Sequence, residues 1–199
     1  MADAAERLLL FGPPGSGKGT QAALLASRLG VPAISTGEMF RQAVKAGNDL
    51  GQKVQATLAL GNLVDDATTS EIVRVRLAQS DARRGFILDG YPRTLTQAET
   101  LEEILRSHGE SLDAAVLLEV PEDEVVRRMS GRRDEAGRTD DDPEVARGRL
   151  RVYDAQTAPL VDHYGRRGLL RRVDGNRPVG EVAEAILTAL QPEPGLRSR

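Results

Sequence analysis

A chain of 199 residues, 40% of them hydrophobic, is long enough for one α/β domain with an ordinary core and small inserts. A formal net charge of −3 excludes a nucleic-acid binder driven by bulk charge, and the absence of cysteine excludes disulfides and cysteine-ligated zinc. The apolar run near the start, residues 8–11, is too short for a signal or a membrane span, so the sequence reads as a soluble cytosolic protein.

Residues 7–11 read as a buried strand ahead of a glycine turn. Residues 18–29 have helical spacing and end at Gly30 as a C-cap. A short strand is expected at 31–35, then a helix N-capped by Thr36 and running to 46, with Glu38 in its first turn. Helices follow at 49–60, ending at Gly61, and at 65–79. FILD, 86–89, is a strand ending in an acid, and 94–107 is helical. Residues 114–120 form an apolar strand, and Pro121 suits the first turn of the next helix. A short polar loop is expected at 131–141, one long helix at 142–164, a last strand at 168–173 and a last helix at 179–190. The tail after Gln191 reads as frayed. Strands alternating with helices imply a parallel sheet covered on both faces, with ligands at the carboxyl ends of its strands.

The stretch GPPGSGKGT, 12–20, lies between a strand and a helix. Gly12, Gly15 and Gly17 allow a tight turn that aims backbone N–H groups inward. Those donors and the dipole of the following helix make an anion site, to which Lys18 adds a mobile positive charge. The alternative is a glycine turn with no ligand. The general phosphate-loop motif puts a Ser or Thr directly after the lysine, to hold magnesium. In this sequence that slot is Gly19, and the hydroxyl comes one place later as Thr20. Asp89, also at a strand end, belongs to the same site by topology.

GPPGSGKGTQA, ISTGEMFRQAV, FILDGYPRT and GR…GRTDD occur in that order, and with them the sequence resembles the adenylate kinase family of nucleoside monophosphate kinases over residues 7–190. In that family the loop is written GKGT, so Gly19 is normal there. The resemblance implies a P-loop NTPase-type five-stranded parallel sheet with helices on both faces. It divides the chain into a core (1–34, 65–130, 142–191), an insert for the acceptor nucleotide (35–64), a short lid (131–141) and a tail (192–199). It implies ATP contacts from Gly15, Ser16, Gly17, Lys18, Gly19, Thr20, Arg128, Arg132 and Arg177. For AMP it implies Thr36, Arg41, Asn62, Leu63, Val64, Gly90, Tyr91, Pro92, Arg93, Gln97, Arg138 and Arg149. Lys18, Arg93, Arg128, Arg138 and Arg149 would stabilise the transferring phosphoryl group. Asp89 would orient Mg2+ through bound water, the metal being held mainly by phosphates.

From the residues alone, Thr36 is an N-cap and Arg41 a surface arginine, while Gln97 is a surface glutamine or, with its amide, a reader of the adenine N6 and N1 edge. Asp140 and Asp141 could pair with lid arginines, and Arg133 and Arg147 look like solvated bystanders. Tyr91 stands where the family more often has Phe, and Tyr91–Pro92 is a candidate for a cis peptide. The lid is of the short form and needs no zinc. A monomer acting on small-molecule nucleotides, with no nucleic acid or membrane, is the family expectation. The implied reaction is Mg-ATP plus AMP giving two ADP, by direct in-line transfer without a covalent intermediate. A kinase for UMP or CMP on the same fold is the nearest rival, opposed by Thr36 and Gln97. A non-catalytic ATP-dependent switch has no use for Arg41, Arg93, Gln97 and Arg149, and a hydrolytic ATPase would need a positioned water.

Overall fold

The apolar run at 8–11 pairs on both sides, because a strand with no charged face can only lie in the middle of a sheet. The computed structural model describes residues 6–136 and 143–191. β1 (Glu6–Phe11) lies between β3 (Gly85–Asp89) and β4 (Ala114–Glu119), with β2 (Ala33–Ser35) and β5 (Leu170–Asp174) outside them. The order of the five strands is β2-β3-β1-β4-β5, and every pairing is parallel.

Alternate residues of the strands feed two cores. Leu8, Leu10, Ile87, Val116 and Leu118 face α1 (Lys18–Leu29) and α9 (Val179–Leu190). Leu9, Phe11, Phe86, Leu88 and Leu117 face α4 (Asp66–Leu77), α5 (Leu95–Ser107) and α8 (Pro159–Arg166). The sheet is therefore covered on both faces, as the alternation of elements implies. α2 (Thr36–Ala46) and α3 (Asp49–Ala59) form a hairpin with a small core of its own, built on Phe40, Val54 and Val64. α6 (Glu122–Ala136) and α7 (Pro143–Val152) meet through Val125, Met129 and Ala146.

Four expectations are corrected. Ser35, not Thr36, caps α2: its hydroxyl accepts from Glu38 N at 3.4 Å, and Thr36 is the first helical residue. Pro121 stands just before α6 and offers its carbonyl to Val125 N. The loop expected from Gly131 begins later, since α6 runs on through Ala136, a stretch rich in helix formers that Gly131 alone cannot interrupt. The long helix expected at 142–164 is broken by Pro159, which has no N–H to give. Ahead of it the chain widens into a π turn at Tyr153–Thr157, with Ala158 N bonding Tyr153 O at 2.9 Å.

Gly51 sits where α3 crosses α2. A Cβ there would lie 2.2 Å from the Ala43 carbonyl oxygen and 2.7 Å from Val44 Cα, both backbone atoms. Gly51→Ala must push the two helices apart, at a cost of about 2 kcal/mol. Urea unfolding followed by circular dichroism should show the loss, and an unchanged midpoint would contradict this contact.

Candidate active site

The turn from β1 into α1 carries positive φ at Gly12, Gly15 and Gly17. Neither Gly12 nor Gly15 has room for a side chain. A Cβ at Gly12 would meet the Leu118 carbonyl oxygen at 2.8 Å, and one at Gly15 would meet Met129 Cγ at 2.8 Å and Val125 O at 3.0 Å. β4 and α6 thus press on the loop from behind. Lys18 folds over it, donating to the carbonyls of Gly12 at 2.7 Å and Pro13 at 2.8 Å and to Ser16 Oγ at 3.3 Å.

In front of the loop lies a cleft of about 500 Å³ at the carboxyl ends of the strands. It is lined by Gly15, Gly17, Lys18, Gly19 and Thr20 of the loop and also by Arg41, Arg93 and Arg149. Asp89 faces the loop from the end of β3: a Cβ on Gly19 would come 3.6 Å from Asp89 Oδ2, which accepts from the Ser35 hydroxyl at 3.3 Å. Gly90, at positive φ, gathers two donors on its carbonyl, Thr36 Oγ1 and Arg93 Nε, each at 2.9 Å. Arg41 is paired with Glu38 one turn away, at 3.0 Å. The π turn brings Tyr153 and Thr157 to the same cleft, and the Thr157 hydroxyl donates to the Arg93 carbonyl at 3.0 Å. Burial, and then the charges of Asp154 and Glu119, push the Tyr153 phenol up to about 12.

Two smaller cavities share walls with this cleft. One, of about 40 Å³, is lined by Thr36, Asn62, Leu63, Val64 and Gln97. Gln97 is 1% exposed. Its Oε1 accepts from Arg93 N at 2.7 Å, and its Nε2 donates to Asp66 Oδ1 at 2.8 Å. It is not a surface glutamine. The other cavity, of about 240 Å³, lies beyond the loop between Ser16, Arg128 and Arg177. Arg128 donates to Glu124 at 2.6 Å and to the Gly175 carbonyl at 3.1 Å, and Arg177 donates to Asp174 at 3.0 Å. The Arg128 and Arg127 hydrogen bonds hold Glu124 below the usual carboxylate range. The Asn176 N–H, then Arg177, do the same for Asp174.

Tyr91 turns away from these cavities. It is 1% exposed in the core, its hydroxyl lies 2.9 Å from Ser70 Oγ and 3.1 Å from the Gln97 carbonyl, and burial pushes the phenol up. A ligand can therefore meet Tyr91 only through backbone. The following Tyr91–Pro92 bond is cis. Arg132 and Arg133 lie on α6, with side chains outside the described residues, as are Arg138, Asp140 and Asp141. Sequence reasoning passed over Ser35, Tyr153 and Thr157. Nothing in a stretch that reads as one helix marks Tyr153 and Thr157, apart from Pro159 just after them.

A family model described as adenylate kinase matches residues 10–169. The chain belongs to the adenylate kinase family. That family consists of nucleoside monophosphate kinases, which are phosphotransferases. The chain is 52% identical to the adenylate kinase of Kocuria rhizophila, over 93% of this chain and 98% of that one. It is 51% identical to that of Thermobifida fusca over the same shares, and 53% identical to that of Clavibacter michiganensis over 92% of each chain. Among the described residues no helix is long and apolar enough to cross a membrane.

Tyr91→Phe removes a buried hydroxyl and leaves Ser70 Oγ without it. The variant should lose about 1 kcal/mol of stability in urea. A wild-type midpoint would mean that this hydroxyl contributes nothing to the fold.

Proposed function

We propose that the protein catalyses the reversible transfer of the terminal phosphoryl group from Mg-ATP to AMP, giving two ADP. One observation carries this reading. A single cleft is lined both by a loop of backbone N–H donors with Lys18 and by three arginines, Arg41, Arg93 and Arg149. Two phosphate chains can meet there head to head, which a site for one nucleotide does not need.

ATP lies with its phosphates on 15–20 and its adenosine between Arg128 and Arg177. The AMP phosphate is held by Arg41 and Arg93, and its base lies by Thr36, Gly90, Gln97 and residues 62–64. An AMP phosphate oxygen attacks the γ-phosphorus in line, and the bond from that phosphorus to the β,γ-bridging oxygen breaks, releasing ADP. The attacking oxygen is largely ionised at neutral pH, because a phosphate monoester has a second pKa of about 6, so no general base is required. Lys18 and Arg149, with Arg128, Arg132 and Arg138 from the lid side, stabilise charge on the transferring group. Thr157 on the Arg93 carbonyl keeps the guanidinium's backbone in place.

The donor set fits magnesium. One carboxylate, Asp89, faces the loop with the Ser35 hydroxyl on it, and both are hard oxygen groups. Among the described residues no cluster of three carboxylates or histidines competes for the ion. Asp89 would hold it through water. When bound, it neutralises charge on the β- and γ-phosphates.

The insert (35–64) and the lid (131–141) close over the two nucleotides and exclude water, and the protein works as a cytoplasmic monomer. ADP formation from Mg-ATP with AMP, UMP, CMP, GMP or water alone tests the reading. AMP should be strongly preferred, and Arg93→Ala should lower kcat/KM by at least about a hundredfold with its melting curve intact. Preference for UMP or CMP would overturn the acceptor, and ATP binding without transfer would overturn the kinase.

A further inference from the structure

A glutamine on a pocket wall does not by itself distinguish a 6-aminopurine from a 6-oxopurine. Turning its amide by half a turn exchanges donor and acceptor, so it can match either edge. In this protein the turn is blocked from two sides. The Arg93 N–H points at Gln97 Oε1 at 2.7 Å, and Asp66 Oδ1 accepts from Gln97 Nε2 at 2.8 Å. A reversed amide would put its oxygen against the Asp66 carboxylate and its NH2 against the Arg93 N–H. Asp66 is itself fixed, because its Oδ2 accepts from the Thr94 hydroxyl at 3.0 Å. That hydroxyl accepts in turn from Gln97 N at 3.2 Å, closing the ring of contacts.

We propose that Asp66 is a specificity-determining positioning residue, which locks the Gln97 amide so that the acceptor pocket takes a 6-aminopurine monophosphate and rejects a 6-oxopurine one. The inference rests on the reading that Gln97 faces the acceptor base. Gln97 lines that pocket, and its oxygen keeps a lone pair and its nitrogen an N–H beyond the two internal bonds. Adenine presents an N6 amino donor and an N1 acceptor, which match that oxygen and that N–H. Hypoxanthine presents an O6 acceptor and an N1–H donor, so both contacts oppose. Of the two groups that block the turn, the Arg93 N–H is backbone, and only Asp66 can be removed by substitution.

The test compares AMP with inosine monophosphate as acceptors of phosphoryl from Mg-ATP, in wild type, Asp66→Ala, Asp66→Asn and Gln97→Ala, each with a melting curve. In Asp66→Ala the ratio of kcat/KM for AMP over inosine monophosphate should fall roughly ten- to hundredfold, as discrimination by a fixed hydrogen-bonding site is lost. The KM for Mg-ATP should stay within about twofold, on the same argument. Asp66→Asn can offer Gln97 either an oxygen or an NH2, which leaves only the Arg93 N–H opposing reversal. Its ratio should fall less, and it reads the effect even if the alanine variant does not fold. If Asp66 were merely structural, both acceptors would weaken together. An unchanged ratio in a folded Asp66 variant, with the ratio altered in Gln97→Ala, would overturn the inference. A ratio unaffected by Gln97→Ala would overturn the placement of the base on which it rests.

Discussion

Between β1 and α1 the chain reverses through glycines at positive φ, and the two elements cannot be joined this tightly by residues bearing a Cβ. That constraint sets the rest of the site. It directs backbone N–H groups and the start of α1 at one point, which favours an anion there. It also brings the loop against Leu118 O and Met129, so β4 and α6 fix its height above the sheet. The parallel order β2-β3-β1-β4-β5 then delivers Asp89 beside the loop, because β3 is hydrogen-bonded to β1 and both end at the same level.

The cations around the cleft are held by groups that a phosphate can replace. Lys18 lies on loop carbonyls, Arg41 on Glu38, and Arg128 on Glu124 and the Gly175 carbonyl. The Arg41–Glu38 pair is exposed, and such pairs are worth roughly 0–1 kcal/mol, so exchanging it for a charge-assisted bond to a phosphate is favourable. Arg93 differs. Its Nε is committed to the Gly90 carbonyl and its own carbonyl to Thr157, so its backbone and the root of its guanidinium are fixed. On the proposed reading the site combines one rigid arginine, which sets where the acceptor phosphate lies, with others that shift toward the charge.

The strands were legible because short apolar runs end at glycine or an acid, and the loop because its glycines and lysine fall between a strand and a helix. What the sequence hid has physical causes. Ser35 and Thr36 are both competent caps, and only the path of the chain from β2 decides which hydroxyl reaches Glu38 N and which reaches Gly90. Helical spacing runs unbroken from 143 to 166, and a π turn keeps enough of that period to pass as helix. Tyr91 reads as a site residue by its neighbours, yet its ring is apolar enough for the core and its hydroxyl finds Ser70. Asp66 looks like any acid in a first helical turn, favoured there by the dipole. Its partners, Thr94 and Gln97, lie at the cap and in the first turn of another helix about thirty residues on.

On the proposed reading, the α2–α3 hairpin carries Thr36 and Arg41 and leads into residues 61–64, so it touches both ends of the acceptor site. It carries its own small core, which is joined to the core of the sheet through Met39 and Ile72. At its end Gly61, at positive φ, lies against α7, where a Cβ would meet Arg149 Cγ at 2.8 Å and Val145 Cγ1 at 2.9 Å. Beside it lies the cavity of about 40 Å³ lined by Thr36, Leu63 and Gln97. The same contact bounds the position of Arg149, which lines the main cleft together with the loop. On the proposed reading, the segment that borders the acceptor base and an arginine that faces its phosphate therefore meet at one glycine.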